Sequence, residues 1–316
     1  MSITVVGSVA FDSIITPAGR RERCLGGAAT YFALAASYFT PVRVVAVVGE
    51  DFTAAEESVF IARSIDLTGL ERASGKSFFW AGNYLQNLNE AQTEQTDLNV
   101  FADFNPKIPD AYLDTRHLFL ANIDPVLQLR VRQALPDTSL VCGDTMNYWI
   151  NDHREALLRV LPQMDVLLIN DTEARLLSGE SNSLRAARKV LTLGPRALIV
   201  KHGEYGATAY FSPDLFAPAT TPQHPFRSPA LPLEEVVDPT GAGDSFAGGF
   251  FGYIASQPTL TPSVFRRAVF YGSVMGSFTV ERFGTERLQQ LSREHIDARF
   301  ELLRRITHLD PDHDPH

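Results

Sequence analysis

The chain has 316 residues, 45% of them hydrophobic, which is enough apolar material for a sizeable core. Lys and Arg total 28 against 37 Asp and Glu, a formal net charge of −9 that argues against a nucleic-acid partner, because nucleic-acid-binding proteins usually carry a basic face. Two cysteines, no basic leader and no long apolar run predict a cytoplasmic protein without a membrane partner.

Short apolar, β-branched runs alternate with helical patterns along the chain. The predicted strands are Ile3–Val6, Val42–Val48, Leu118–Leu120, Leu140–Cys142, Val166–Ile169 and Ala197–Val200. The predicted helices are Ala28–Phe39, Asp51–Ile65, Val126–Ala134, His153–Leu161 and Thr172–Leu177. This alternation predicts a doubly wound α/β fold, in which a mostly parallel sheet is flanked by helices and ligands bind at the carboxyl ends of the strands.

One segment departs from this alternation. Lys76–Leu85 and Thr96–Phe104 are predicted to pair as a β-hairpin around the polar segment Gln86–Glu94. Period-two alternation places three aromatic side chains on one face of it: Phe78, Trp80 and Tyr84. This face could close over a ligand as a lid, or it could pack on the main domain or on a second copy of the chain. Both uses are compatible.

These patterns predict a single domain over residues 1–316, with an inserted β lid at about 12–23 and 74–105. The proline-rich stretch Phe216–Pro232 is predicted to be an irregular loop. Residues 308–316 are predicted to be a flexible tail because they are rich in proline and lie at the terminus.

The segment Asp238–Ser245 reads DPTGAGDS and precedes a helix-compatible run. Its proline favours an extended conformation at the preceding residue, and its two glycines allow a tight turn. The free N–H groups of the following helical turn would attract an anionic oxygen, and Asp244 places a carboxylate among them. Stabilised phosphate charge beside a base is what phosphoryl transfer to an alcohol requires.

This segment has other interpretations. A Gly-x-Gly before a helix is often a plain turn, and an Asp there is often an N-cap. The dinucleotide-binding fingerprint requires a third glycine where Phe246 stands, which disfavours a nicotinamide-dependent dehydrogenase. The Gly-Lys-Ser/Thr ending of a Walker loop is missing as well.

Four further motifs precede this segment in the chain. They are Asp12 shortly after the first strand, the pair Gly26 and Gly27 before a small-residue helix, Asn170 and Glu173 in an Asn-x-x-Glu pattern, and the strand end Lys201-His202-Gly203 followed by Gly206. Together with Asp238–Ser245, their order resembles the PfkB carbohydrate kinase family, also called the ribokinase-like family, over essentially the whole chain.

The resemblance implies an ATP-dependent kinase that phosphorylates a hydroxyl, usually a primary alcohol, of a small-molecule sugar or ribonucleoside. It implies that Asp244 is the catalytic base and that the N–H groups around Gly241, Ala242 and Gly243 form the anion hole.

The resemblance also implies a nucleotide site and its metal. The ATP-binding positions would be Asn170, Lys201, Gly203, Gly206, Thr240, Gly241 and Gly243. Asn170 and Glu173 would hold Mg²⁺ through water, although Glu173 is also explained as a first-turn acid that complements a helix dipole. Carbonyl groups of Asp238 and Thr240 would bind a monovalent cation such as K⁺, and the small residues near Ala268 would let a helix cover the adenine.

For the acceptor, the resemblance implies Asp12, Gly26 and Gly27, with the carboxylate accepting hydrogen bonds from hydroxyls. Asp12 is alternatively a turn-stabilising residue at a strand end. Tyr31 replaces an Asn common in the family. With Phe78 and Trp80 it predicts an aromatic acceptor pocket that would suit a nucleoside as well as a sugar.

Two other functions on this fold stay open. A hydroxymethylpyrimidine or pyridoxal-type kinase is disfavoured by the predicted hairpin, which those relatives generally lack. A non-catalytic sugar or nucleotide sensor is disfavoured by the presence of Asp244 and its glycines. The aromatic hairpin also predicts a homodimer formed through the lid.

Overall fold

The computed structural model describes residues 2–212, 215–216 and 224–307, so the tail predicted at 308–316 lies outside the described residues. The strands are β1 (Ile3–Val6), β2 (Ala10–Thr16), β3 (Gly19–Gly26), β4 (Val42–Val48), β5 (Asp66–Arg72), β6 (Phe78–Asn83), β7 (Gln92–Asp97), β8 (His117–Leu120), β9 (Leu140–Asp144), β10 (Val166–Asn170), β11 (Ala197–Lys201), β12 (Ala207–Phe211) and β13 (Phe226–Ser228). The α-helices are α1 (Ala28–Ala36), α2 (Ala54–Ile61), α3 (Pro125–Ala134), α4 (Asn147–Asp152), α5 (Arg154–Val160), α6 (Asp171–Ser178), α7 (Ser183–Leu191), α8 (Ala242–Ala255), α9 (Pro262–Thr279), α10 (Glu286–Gln289) and α11 (Arg293–Thr307). Single 3-10 turns occur at Asn99–Asp103, Asp110–Tyr112, Leu161–Gln163 and Gly203–Tyr205.

The main sheet of the described residues has nine strands in the order β13-β12-β11-β10-β9-β8-β1-β4-β5. Neighbours from β11 to β5 pair in parallel, whereas β12 and β13 pair antiparallel at one edge. The chain leaves β1 toward β4 and β5 on one side and later returns to place β8 on the other. The predicted doubly wound, mostly parallel sheet is therefore confirmed, and it has a switch point beside β1, where such sheets bind ligands.

Alternate residues of the central strands face two separate cores. In β4, Val42, Val44 and Ala46 pack on the side that carries α1, α8 and α9. Val45 and Val47 pack on the opposite side, with α3, α5, α6 and α7. Because both faces of the sheet are covered, its strands are nearly continuous apolar runs. This is why the six strands predicted from apolar runs all occur in the structure with only small changes at their ends.

The segments predicted as a lid contain a second, smaller sheet. In the described residues it has four strands in the order β3-β2-β6-β7, with β2 and β6 parallel and the other pairs antiparallel. The predicted second strand of the hairpin, Thr96–Phe104, is wrong. The strand is Gln92–Asp97, which is exposed at every position, and Asn99–Asp103 is a 3-10 turn.

Packing explains this difference. The ring of Phe101 stacks between Phe78 and Phe104, with centroids 5.3 Å away on each side, so these aromatic residues fill an apolar contact below the small sheet. Asn99 adopts a positive φ of 50° and its Nδ2 donates to the carbonyl oxygen of Ser77 at 2.9 Å, which ends the strand.

Three further differences are small. The loop predicted at Phe216–Pro232 contains the short strand β13, and residues 217–223 lie outside the described residues. The helix predicted at Asp51–Ile65 is shorter, because Thr53 and Glu56 form a capping box at the start of α2. The helix predicted at Ala28–Phe39 ends at Ala36. No helix in the described part of the chain has both the length and the hydropathy needed to cross a bilayer.

Candidate active site

Two polar residues end adjacent strands at the carboxyl edge of the main sheet. Asn170 and Lys201 are register partners at the ends of β10 and β11. The side chain of Lys201 reaches the first turn of α8, where a Cβ placed on Gly243 would lie 2.9 Å from its Nζ. The sheet therefore delivers an ammonium group to the amino terminus of α8, and both attract anions.

The loop before α8 requires glycine at position 241. Gly241 has φ 73°, and a Cβ there would lie 2.3 Å from Cγ of the Tyr31 ring beneath it. Within the described part of the chain no side chain caps the helix, and the N–H of Ala242 donates to the carbonyl oxygen of Pro239 at 3.2 Å. An anion bound here would compete with Pro239 for the N–H of Ala242.

A buried carboxylate stabilises the conformation of this loop through hydrogen bonds. Asp238 is fully buried, and it accepts hydrogen bonds from the N–H of Thr240 at 2.9 Å and from the N–H of Gly284 at 2.8 Å. The hydroxyl of Thr240 in turn donates to the hydroxyl of Tyr84 at 3.2 Å, which links the loop to the lid. The loop is thus fixed on two sides, which pre-orients the first turn of α8.

Asp244 lies in this first turn. Burial raises the pKa of Asp244 to about 6, and the nearby ammonium group of Lys201 opposes the shift. A carboxylate with this pKa is mostly ionised at neutral pH and still able to take a proton, as a general base requires.

Asp144 is a site residue that the sequence analysis missed. It is the last residue of β9, it is buried, and its Oδ1 has no hydrogen-bond partner among the described residues. Burial, and next the charge of Asp244, raise the pKa of Asp144 well above its usual value, while Lys201 lowers it. The signal in the sequence was an acid directly after a buried strand, but the strand predicted there ended at Cys142.

The Asn-x-x-Glu pattern forms a capping box at the start of α6. The N–H of Glu173 donates to Oδ1 of Asn170 at 2.7 Å, and the N–H of Asn170 donates to Oε2 of Glu173 at 2.8 Å. The first-turn role of Glu173 is therefore part of the structure, but it uses only one of the two carboxylate oxygens of Glu173. Burial raises the pKa of Glu173, and Lys201 lowers it.

These groups fit a hard cation that is only partly held by protein. Asp144 offers an unpaired buried oxygen, and the carboxylate of Glu173 lies near enough to influence its pKa. No three acidic, His or Cys side chains in the described ranges approach closely enough to hold an ion by themselves. This donor set suits Mg²⁺, which keeps several waters and takes phosphate oxygens as ligands.

Asp12 and the glycine pair meet beside the small sheet. A Cβ on Gly26 would lie 1.9 Å from Oδ2 of Asp12, and the N–H of Gly27 hydrogen-bonds to the same carboxyl group. Burial, and next the charges of Asp238 and Asp244, raise the pKa of Asp12 to about 8. Asp12 therefore lies close enough to Asp244 to interact with it electrostatically, as an acceptor-binding residue should.

The aromatic residues predicted for the acceptor pocket differ in their contacts. Trp80 is the register partner of Asp12 in the small sheet, and its Nε1 donates to the hydroxyl of Thr93 at 3.2 Å. Phe78 is engaged in the aromatic stack described above. Tyr31 is 1% exposed beneath Gly241, and its hydroxyl has no partner among the described residues. Of the three, Trp80 is therefore the best placed to contact a ligand bound at Asp12.

A cavity of about 750 Å³ lies above the ends of β10 and β11. Most of the residues predicted to bind ATP line it: Asn170, Lys201, Gly203, Gly206 and Gly243, together with Ala242. Thr240 and Gly241 belong to the loop that leads into it. Ser273 and Gly276 of α9, from the region predicted to cover the adenine, line it as well. Its volume lies in the range of small-molecule and cofactor sites.

Comparison with known proteins identifies relatives of this chain. A family model described as pfkB family carbohydrate kinase matches residues 2–290. A cytidine kinase from Thermococcus kodakarensis is 29% identical over 267 residues, which are 82% of this chain and 90% of that protein.

Two solved structures share the fold. A nucleoside kinase from Methanocaldococcus jannaschii has a TM-score of 0.72 and 21% identity, and the match covers 95% of this chain and 98% of that chain. A putative ribokinase II from E. coli, in complex with ATP and Mg²⁺, has a TM-score of 0.75 and 19% identity, with coverage of 95% and 99%. The chain therefore has the ribokinase-like α/β fold, and it is an ATP-dependent kinase of a carbohydrate or a nucleoside. The chain belongs to the pfkB family of carbohydrate kinases.

Proposed function

We propose that this protein transfers the γ-phosphate of ATP to a hydroxyl group of a ribonucleoside, with Asp244 as the catalytic base. The observation that supports this most directly is the approach of Lys201 Nζ to the uncapped first turn of α8, with the carboxylate of Asp244 in that same turn. The charge of Asp244 contributes to the raised pKa of Asp12, so the two carboxyl groups are near each other and an acceptor held by Asp12 would lie near the base.

Each of these residues has a distinct part in the proposed reaction. Asp12 accepts hydrogen bonds from hydroxyls of the acceptor and fixes its orientation. Asp244 orients the attacking hydroxyl and takes its proton at a carboxylate oxygen. Lys201 and the N–H of Gly243 stabilise the negative charge that develops on the transferring phosphoryl group.

Mg²⁺ would be held by Glu173, Asn170 and Asp144, largely through water, and would neutralise charge on the phosphates. The oxygen donors that support this assignment are the unpaired Oδ1 of Asp144 and the second carboxylate oxygen of Glu173.

A nucleoside acceptor is supported by the cytidine kinase relative, which matches most of both chains. Trp80 beside Asp12 offers an aromatic surface that could stack on a nucleobase. The test is a panel of ribonucleosides and sugars in an ADP-release assay with Mg-ATP. We expect the highest kcat/KM among the ribonucleosides, with cytidine the first to test, and a preference for ribose or fructose would contradict the nucleoside assignment.

The pH dependence of the reaction should report Asp244. Because the base must be ionised, and its pKa is raised to about 6, we expect kcat/KM to fall as the pH drops through about 6. Lys201 lowers this pKa, so Lys201→Met should move the acidic limb to higher pH as well as reduce turnover. The measurement is kcat/KM between about pH 5 and 8.5.

Lys189→Met is a matched control for this shift, since Lys189 is exposed on α7. It should leave the profile in place. An acidic limb that does not move in Lys201→Met would show that a different group controls it.

Three further expectations stay predictions. A monovalent cation near Asp238 and Thr240 would make the activity rise with added K⁺. A homodimer formed through the lid would have twice the mass of the chain in analytical ultracentrifugation. A cytoplasmic location follows from the family rather than from any feature of the site.

A further inference from the structure

The polar turn of the lid reaches the nucleotide side of the cleft. Residues 84–89, here called the lid turn, follow β6 and lead toward β7. Its residues Gln86, Asn87, Leu88 and Asn89 line the same cavity as Lys201 and Gly243. The hairpin that begins beside Asp12 therefore does not stop at the acceptor side.

Asn89 contacts the 3-10 turn that follows β11. A Cβ placed on Gly203 would lie 1.9 Å from Oδ1 of Asn89, so the side chain of Asn89 rests on the backbone of Gly203. The Nδ2 of Asn89 also donates to Oε1 of Glu204 at 3.4 Å, across 115 positions of sequence. This contact joins the small sheet to the carboxyl edge of the main sheet.

Hydrogen bonds within the lid turn and at its start fix its conformation. The N–H of Asn89 donates to Oδ1 of Asn87 at 2.9 Å, which folds the turn locally. At its start, the N–H of Tyr84 donates to the carbonyl oxygen of Ile15 at 2.9 Å, and the Tyr84 hydroxyl accepts from Thr240. The lid turn thus contacts the loop before α8 at its start and Gly203 at its end.

The chemistry of the lid turn suits an anionic ligand. Among the described residues that line the cavity, Lys201 is the cation and Glu204 the acid, and the carboxylates of Glu173 and Asp244 lie near Lys201. The amide groups of Gln86, Asn87 and Asn89 can donate hydrogen bonds to phosphate or ribose oxygens without changing the net charge.

We propose that the lid turn is a wall of the nucleotide site, and that Asn89 is the positioning residue that fastens it to Gly203 and Glu204. This rests on the proposed function, because it takes the cavity to be the site of ATP. One segment then closes over the acceptor and the nucleotide together, so nucleotide release requires the lid to open.

The experiment measures the binding of Mg-ADP to the full chain. Calorimetry gives the affinity, and displacement in a stopped-flow instrument gives the dissociation rate. Asn89→Ala removes the fastening and should speed dissociation about tenfold, the order of one lost polar contact. Asn89→Asp should speed dissociation further, because the introduced carboxylate would face Glu204 and the phosphates. Gln95→Ala, which removes an exposed amide of the same hairpin, should match the wild type.

Asn89→Lys tests whether the fastening of the lid turn runs through the carboxylate of Glu204. Its ammonium group would face Glu204 and the phosphates, so dissociation should be slower than in Asn89→Ala, and this gain should shrink at high salt. A fastening that does not run through Glu204 would not follow the sign of the charge at position 89. Melting temperatures of all four variants confirm that each is folded.

The outcomes are distinct. If the wild type and all Asn89 variants release Mg-ADP at the same rate, the lid turn is not part of the nucleotide site, and the proposed function stands without it. Tighter binding by Asn89→Ala would also overturn the proposal, because the turn would then obstruct the nucleotide. If the wild type binds no Mg-ADP, the proposed function fails and this proposal fails with it.

Discussion

Asp244→Asn should reduce kcat by about 10²–10⁴-fold, the usual contribution of a general base, while Mg-ADP binding changes little. The substitution keeps the size of the side chain in the first turn of α8 but removes its ability to take a proton. Because burial raises the pKa of Asp244 to about 6, ionising it in the folded protein is unfavourable. The variant should therefore be at least as stable as the wild type at neutral pH.

The measurements are initial rates of ADP release with the best acceptor, calorimetric binding of Mg-ADP, and the melting temperature. Asp171→Asn is the matched control, since it makes the same charge change in the first turn of α6, where the carboxylate pairs with Arg175 at 3.6 Å. It should retain most of the activity. If Asp244→Asn kept near-normal kcat, the assignment of the base would be wrong.

Asp12→Asn should reduce kcat/KM for the acceptor about 10²-fold or more, since hydrogen bonds to a charged group contribute about 1.5–3 kcal/mol each. The KM for ATP should change little, because Asp12 lies with Gly26 and Gly27 and not in the lining of the nucleotide cavity. Product formation at a series of acceptor concentrations measures the effect. An equal rise in both KM values would contradict an acceptor-specific role.

The same substitution should stabilise the protein in a pH-dependent manner. The pKa of Asp12 is raised to about 8 from 3.8, so the folded state holds this proton more tightly than the unfolded state does. Its contribution to stability is complete below about pH 4 and is lost as the pH rises toward 8. The advantage of Asp12→Asn in melting temperature should thus be larger at pH 9 than at pH 5. An advantage that does not depend on pH would argue against the raised pKa.

The parts of this fold that burial determines could be predicted from the sequence. β1 and β4 occur where their apolar runs begin and end, because a strand covered on both faces leaves a continuous signal. The hairpin was harder. Gln92–Asp97 has no apolar residue and forms a strand only because β6 offers it an edge, whereas the apolar run around Phe101 packs as a 3-10 turn.

The candidate site shows the same division. Local motifs such as the glycine loop before Asp244 could be recognised from the sequence because neighbouring residues form them. The contact of Asn89 with Gly203 could not, because it depends on how far the lid folds across the main sheet. The buried position of Tyr31 was missed for a related reason, since its role is to support Gly241, a residue more than two hundred positions away.

The attachment of Asp238 to Gly284 sets a lower limit on the length of an active fragment. The loop that carries the glycines is connected to the chain that follows α9 by hydrogen bonds. Asp238 accepts one from the N–H of Gly284, and the N–H of Val237 donates another to the carbonyl oxygen of Val280 at 2.8 Å. A truncation after α9 would retain every motif residue and still leave the buried carboxylate of Asp238 without one of its two hydrogen-bond donors. Domain fusions and minimal versions of this enzyme should therefore keep the chain intact beyond residue 284.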